Sequence, residues 1–188
     1  MLRLVDELIE RTRQLVEAYQ SLRRVALHRL LTRGIGHTRF KQTELGELPE
    51  EWEVKRLGKV CEIFDKFRIP VKETQRRKGP YPYCGANGVI DWVEGYTHEG
   101  EFVLLAEDGG YFGQFEPSAY LMCGRFWANN HVHVIRGLNE ILDNRFLASW
   151  LVFENLTPYV SGTTRLKLTQ HGMKQIFIPV SYTHLTLP

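Results

Sequence analysis

Glu107 and Asp108 stand side by side ahead of two glycines, and paired carboxylates are what a Mg²⁺-dependent nucleic-acid cleavage site requires. The same pair before Gly109-Gly110 also suits a tight turn, because glycine accepts positive φ without a Cβ clash. Turn chemistry is the more economical reading. His131 and His133 fall two apart on an alternating stretch, so both reach one strand face and could ligate zinc. No third ligand lies near them in sequence, and they read as structural histidines. Cys61, Cys84 and Cys123 are widely spaced and form no C-x-x-C pair, which suggests buried apolar thiols in a reducing compartment rather than a disulfide framework. There is no G-x-x-x-x-G-K-S/T phosphate loop, no G-x-G-x-x-G opening a helix, and no Asn-Pro-Pro-aromatic run of the kind that holds a flipped base. Neither catalysis nor a metal site is expected in this chain.

The cations and amides carry more information. Duplex DNA is held by Lys and Arg on phosphates, and base edges are read by Arg, Lys, Asn and Gln. Lys66, Arg68, Lys72, Arg76, Arg77 and Lys78 crowd one segment that holds a single acid, Glu73. Tyr81, Tyr83 and Asn87 follow closely, separated from the cations by Gly79-Pro80 and Pro82. The prolines favour an extended loop there. On composition alone such a run is a solvated charged face. Thr163, Thr164, Arg165 and Lys167 offer a second basic edge beside a turn at Ser161-Gly162.

The positioning elements follow from local pattern. Val5, Thr12, Tyr19 and Ala26 recur every seven residues, as do Leu8, Leu15 and Leu22, giving a coiled-coil-type seam over residues 2–32 that predicts a rod of roughly 45 Å. Leu2, Ile9 and Val16 widen the apolar stripe; the simplest alternative is an amphipathic helix lying on its own domain. Gly34 stops the helix, Thr38 to Pro49 reads as a polar connector, and Trp52, Val54 and Leu57 can seat the entrance to a following domain. Cys61 and Ile63 open a strand, and Asn87-Gly88 turns a hairpin into Val89–Val93. Phe102–Ala106 and His131–Ile135 are further strands. Asp143 caps a helix over residues 144–156, with Phe146, Leu147, Trp150, Leu151 and Phe153 on its core face and Pro158 at its end. Leu166 and Leu168 alternate with Arg165 and Lys167, and Ile176–Val180 is a last apolar segment. The fold class is α+β, a long N-terminal helix followed by a mixed α/β domain. The divisions are residues 1–45, 46–180 and a tail, 181–188.

The 188 residues, 43% of them hydrophobic, suffice for one core plus an appendage. The net charge is only +2, yet residues 1–43 carry nine bases against four acids, whereas residues 79–188 carry six against ten. Such asymmetry permits a local phosphate-binding face on a nearly neutral chain. No secretory h-region and no membrane-length apolar run occur, which points to the cytoplasm.

Several passages, in order, resemble the specificity subunits of type I restriction-modification systems. They are Thr32-Arg33-Gly34-Ile35, Thr43-Glu44-Leu45-Gly46 with Leu48-Pro49 and Trp52, and Leu57-Gly58-Lys59-Val60. Pro82–Asp91, Asp108-Gly109, Phe126-Trp127-Ala128-Asn129-Asn130-His131-Val132-His133-Val134, Gly162-Thr163-Thr164 and Ile176–Val180 continue the series. The likeness covers residues 1–180 as one helix and one target-recognition domain, half of a pseudo-symmetric subunit. At Ser181–Pro188 it breaks, and that tail looks foreign to the family. The resemblance implies a non-catalytic chain that reads duplex DNA with Lys66, Arg68, Lys72, Arg76, Arg77, Lys78, Tyr81, Tyr83, Asn87, Thr163, Thr164, Arg165 and Lys167. Partner methyltransferase subunits would use S-adenosylmethionine, and a partner endonuclease subunit would use ATP and Mg²⁺. Val5, Leu8, Thr12, Leu15, Tyr19 and Leu22 would form a subunit interface, with a homodimer through this helix as one outcome. The alternative is an assembly module that has lost DNA readout.

Overall fold

The computed structural model describes residues 2–181. The element order is α1 (Leu2–Arg33), β1 (Phe40–Thr43), β2 (Gly46–Pro49), β3 (Trp52–Arg56), α2 (Leu57–Val60), β4 (Cys61–Ile63) and β5 (Lys78–Gly85). There follow β6 (Gly88–Val93), β7 (His98–Ala106), β8 (Ala119–Ala128), β9 (Val132–Gly137), α3 (Asn144–Phe153), α4 (Gln170–Gln175) and β10 (Phe177–Ser181).

Six strands form one sheet in the order β4-β9-β7-β8-β5-β6. Its pairs are antiparallel except for a short parallel contact of β5 with β8 at Tyr83 and Cys84. β7 is central, and its run Phe102–Ala106 is apolar throughout because both faces are covered. Val103 and Leu105 face α3, where Leu147, Trp150 and Leu151 are fully buried. Phe102 and Leu104 face the second cluster with Cys84, Phe126, Val132 and Val134, closed over by Phe64. Asp143 caps α3 by accepting from the amides of Arg145 and Phe146. α3 stops at Phe153, short of Pro158, which falls in a following 3-10 turn.

Four local expectations are corrected by tertiary context. The connector is a β-hairpin, with β1 and β2 paired from Phe40–Pro49 to Thr43–Gly46. Gly79–Tyr83 belongs to strand β5 and not to a loop; Pro80 lies at a register shift and Pro82 lies before β5 meets β8, so neither missing N–H breaks the ladder. Cys61 and Cys84 are buried, which pushes both thiols up to about 12, but Cys123 is exposed on β8. Ser181 pairs with Trp52 in the antiparallel β10-β3 ladder, so that part of the expected tail is built into the domain. Residues 182–188 of that tail lie outside the described residues.

α1 has 32 residues, about 48 Å at 1.5 Å rise. Every side chain from Arg3 to Ala26 is exposed, so the helix does not lie on its own domain. Leu27 and Leu31 reach the core, Arg24 sits 5.7 Å over the Phe115 ring, and His28 meets Phe153 edge-on. These contacts anchor only its last turns. No helix among the described residues is long and apolar enough to cross a membrane.

Candidate nucleic-acid interface

Glu107 and Asp108 close β7 at a turn. Gly109 takes φ +67°, and a Cβ on Gly110 would come within 2.4 Å of the Ala106 Cβ, so one glycine supplies the bend and the other the close approach. The carboxylates go to different partners. Glu107 meets Arg68 at 2.6 Å and Lys167 at 2.8 Å, whereas Asp108 meets His131 at 2.5 Å and Arg165 at 2.9 Å.

Asp65 completes the inner network. Its Oδ2 lies 2.6 Å from His133 Nδ1, and its Oδ1 accepts from the Val134 amide at 2.9 Å. His133 Nε2 faces the Leu168 carbonyl at 2.7 Å, so this buried ring meets an oxygen at each nitrogen. Arg68 also donates to the Val132 carbonyl at 2.8 Å. The network ties together the turn after β4, the end of β7, β9 and the loop before α4.

Asp65, Glu107 and His133 have ligating atoms within 4.8 Å of one another, a metal-like cluster. Arg68 and Lys167 already occupy the Glu107 oxygens, and His133 and the Val134 amide occupy those of Asp65. Cations have taken the place a divalent ion would need, and the geometry is that of an ion-pair clasp. Asp65 is the hub that sequence reasoning missed. An isolated acid between Phe64 and Lys66 carries no periodic or motif signal.

The cationic segment divides into two classes. Arg68 and Arg76 are corrected from surface contacts to anchors, their side chains only 15% exposed. Arg76 lies 4.4 Å over the Tyr83 ring, donates to the Val71 carbonyl at 3.1 Å and pairs with Asp91. Tyr83 is likewise corrected: it is 1% exposed, with the Val71 amide donating to its hydroxyl. Lys66, Lys72, Arg77 and Lys78 project to solvent. Lys78 still reaches Asp91 at 2.6 Å, and with the Trp92 amide it holds that carboxyl down at about 2. Tyr81 is half-buried against Tyr96.

The second edge converges on the same turn. Asn87, at the tip of the β5-β6 hairpin, donates to the Gly109 carbonyl at 3.0 Å, while Arg165 and Lys167 bond to Asp108 and Glu107. Thr163 and Thr164 are exposed, and the expected strand there reduces to isolated bridges of Lys167 with Ser161 and Asp108. Asn87, Arg165 and Lys167, distant in sequence, thus meet at one turn, and Arg68 joins them from beneath through Glu107.

Burial raises the carboxyl pKa of Asp65, but His133, the Val134 amide and Arg68 outweigh it and hold the group below its ordinary value. Burial is similarly overcome at Glu107 by Lys167 and Arg68, and at Asp108 by His131 and Arg165. A carboxylate with a depressed folded pKa adds stability above its unfolded value and loses it as pH falls through the folded value. The urea midpoint is therefore expected to fall as pH drops below about 5, through the lowered folded values of these carboxyls, and Glu107→Gln to flatten that fall. Equal pH slopes for wild type and variant would remove Glu107 from the clasp.

Residues 49–181 match the model of the type I restriction modification DNA specificity domain. A Haemophilus influenzae protein named S.HindORF215P among type I restriction enzyme specificity subunits is 49% identical over 130 residues, covering 69% of this chain and 33% of that protein. The Escherichia coli type I restriction enzyme EcoprrI specificity subunit is 28% identical over 148 residues, 74% of this chain and 34% of that one. The chain thus spans about a third of the length of these curated relatives. Among solved structures, the HsdS subunit from Thermoanaerobacter tengcongensis superposes with TM-score 0.53 at 20% identity, covering 94% of this chain and 44% of that one. A chain from a study of assembly and conformational transition of the type I R-M system gives 0.55 at 18%, covering 96% and 46%. The fold is shared along nearly the whole described chain, helix included, and the match over residues 49–181 makes this chain a member of the type I restriction-modification DNA specificity domain family.

Proposed function

We propose that this chain is a DNA-recognition half of a type I specificity subunit and binds duplex DNA without doing chemistry itself. The carrying observation is the division of the cationic segment: Arg68 and Arg76 pin it to the domain, while Lys66, Lys72, Arg77 and Lys78 remain at the surface to meet phosphates. A fixed backbone presenting solvent-exposed cations is what positioning on a phosphate lattice needs. In this reading methylation belongs to methyltransferase subunits holding S-adenosylmethionine, and cleavage to an endonuclease subunit using ATP and Mg²⁺. The exposed apolar seam of α1 supplies the docking surface for other subunits or a second copy.

The test is duplex binding as a function of salt. Affinity is expected to fall steeply as salt rises, and Lys72→Ala/Arg77→Ala/Lys78→Ala to reduce the log-log slope by about 2 to 3, roughly one counterion for each phosphate that is no longer neutralised. Salt-independent binding, or none, would leave the second reading, an assembly module that acts through α1 alone.

A further inference from the structure

The β5-β6 ribbon carries exposed apolar side chains that the core does not use, with Ile90 at a register shift between the pairs Asp91–Tyr83 and Val89–Cys84. β6 is the outer strand of the sheet, and Val89, Ile90 and Trp92 on it are 44%, 53% and 55% exposed. An uncovered edge of this kind invites stray strand pairing, so it calls for an occupant. Trp92 stands opposite Pro82, whereas Asp91 between Ile90 and Trp92 stands opposite Tyr83, where Arg76 and Lys78 reach it. The charge of Asp91 is thereby taken up by cations of the adjoining segment.

At the open end of the ribbon, Lys78 pairs with Val93, and the Arg77 carbonyl accepts from the Glu94 amide. The Arg77 and Lys78 side chains are 87% and 81% exposed. The β5 backbone pairs with β8 at Tyr83 and Cys84, and side chains add the bond of the Tyr120 hydroxyl to the Gly85 carbonyl and that of Arg125 to Tyr81, so elsewhere the ladder of the ribbon is two strands wide. The major groove of B-DNA, about 12 Å across, admits a two-stranded β-ribbon, and apolar side chains there meet thymine methyl groups. We propose that this ribbon enters a DNA groove, with Ile90 and Trp92 against base edges and Arg77 and Lys78 on flanking phosphates. The inference rests on the DNA-binding reading above and assigns base discrimination to residues outside the cationic segment.

The test uses the full chain with a random-sequence duplex pool and the duplex that wild type selects from it. Ile90→Thr/Trp92→Ser changes exposed positions only, and is expected to keep the wild-type melting temperature. Its preference for the selected duplex over the pool should fall about 5- to 100-fold, the scale of one mismatched base pair. Tryptophan fluorescence gives an independent readout, because Trp52 and Trp150 are buried and Trp127 is only partly exposed, which leaves Trp92, at 55%, the most accessible of the four indoles. Selected duplex is expected to shield Trp92 from acrylamide, and the double variant to lose that shielded component. Unchanged preference in the variant, or an unshielded Trp92 in a wild-type complex, overturns the ribbon assignment while leaving DNA binding intact. Shielding that grows with protein concentration in the absence of DNA overturns it in favour of a second copy adding a strand. A wild-type chain that binds no duplex defeats the DNA-binding reading itself, and the ribbon with it.

Discussion

Replacing Arg68 by methionine is expected to lower the unfolding free energy by about 3–5 kcal/mol, the usual cost of removing one partner from a buried ion pair. The guanidinium sits 2.6 Å from Glu107, 2.8 Å from the Val132 carbonyl and 3.1 Å from the Asp65 carbonyl, and its side chain is 15% exposed. Without it Glu107 keeps Lys167 and the more distant His133, and the turn after β4 loses one of its ties to β9, those of Asp65 to His133 and the Val134 amide remaining. Methionine retains much of the packing volume, so the loss reports the charge and its hydrogen bonds. Urea unfolding at neutral pH measures it; a change under about 1 kcal/mol would mean that the clasp contributes little. Lys72→Ala and Arg77→Ala should each stay within about 0.5 kcal/mol, as exposed substitutions do. That contrast separates the cations that hold the fold from those offered to phosphate.

If α1 pairs with a second copy, Leu15→Asp is expected to abolish that self-association. The described side chains of α1 from Arg3 to Ala26 stand clear of the domain, leaving Leu8, Leu15, Tyr19 and Leu22 between 57% and 65% exposed. Two copies packed antiparallel would cover this seam at both ends, and burying each Leu is worth about 1.5–3 kcal/mol against the entropy of association. An aspartate in the seam forfeits that gain in both chains and adds a buried carboxylate at each, which should weaken the dimer by roughly 100-fold or more. A two-fold dimer would present two identical domains and select an interrupted palindrome. Light scattering at roughly tens of micromolar protein is the check. A soluble monomer indifferent to Leu15→Asp would reserve the helix for other subunits.

Much of the architecture is written locally. The seven-residue recurrence through Leu8, Leu15 and Leu22 specifies α1, Asp143 specifies the start of α3, and Asn87-Gly88 and Gly109-Gly110 mark real turns. The uninterrupted run Phe102–Ala106 announces a strand, which the fold then covers on both faces. Each of these depends on spacing or on the φ preference of one residue, which the chain carries before it folds. The candidate site is different. Arg76, Arg77 and Lys78 are consecutive and alike in charge, yet only Arg76 is drawn down over the Tyr83 ring and largely buried, while Lys78 reaches Asp91 from solvent. Arg68 differs from Lys66 only through Glu107 and Asp65, the first of which arrives from the far end of β7. Which cation becomes an anchor depends on acids that the sheet delivers from elsewhere in the chain, so residue type and spacing determined that a basic surface would exist. Only the tertiary pairing decided which side chains remained to form it, because an ion pair is set by distance in space and leaves no period in the sequence.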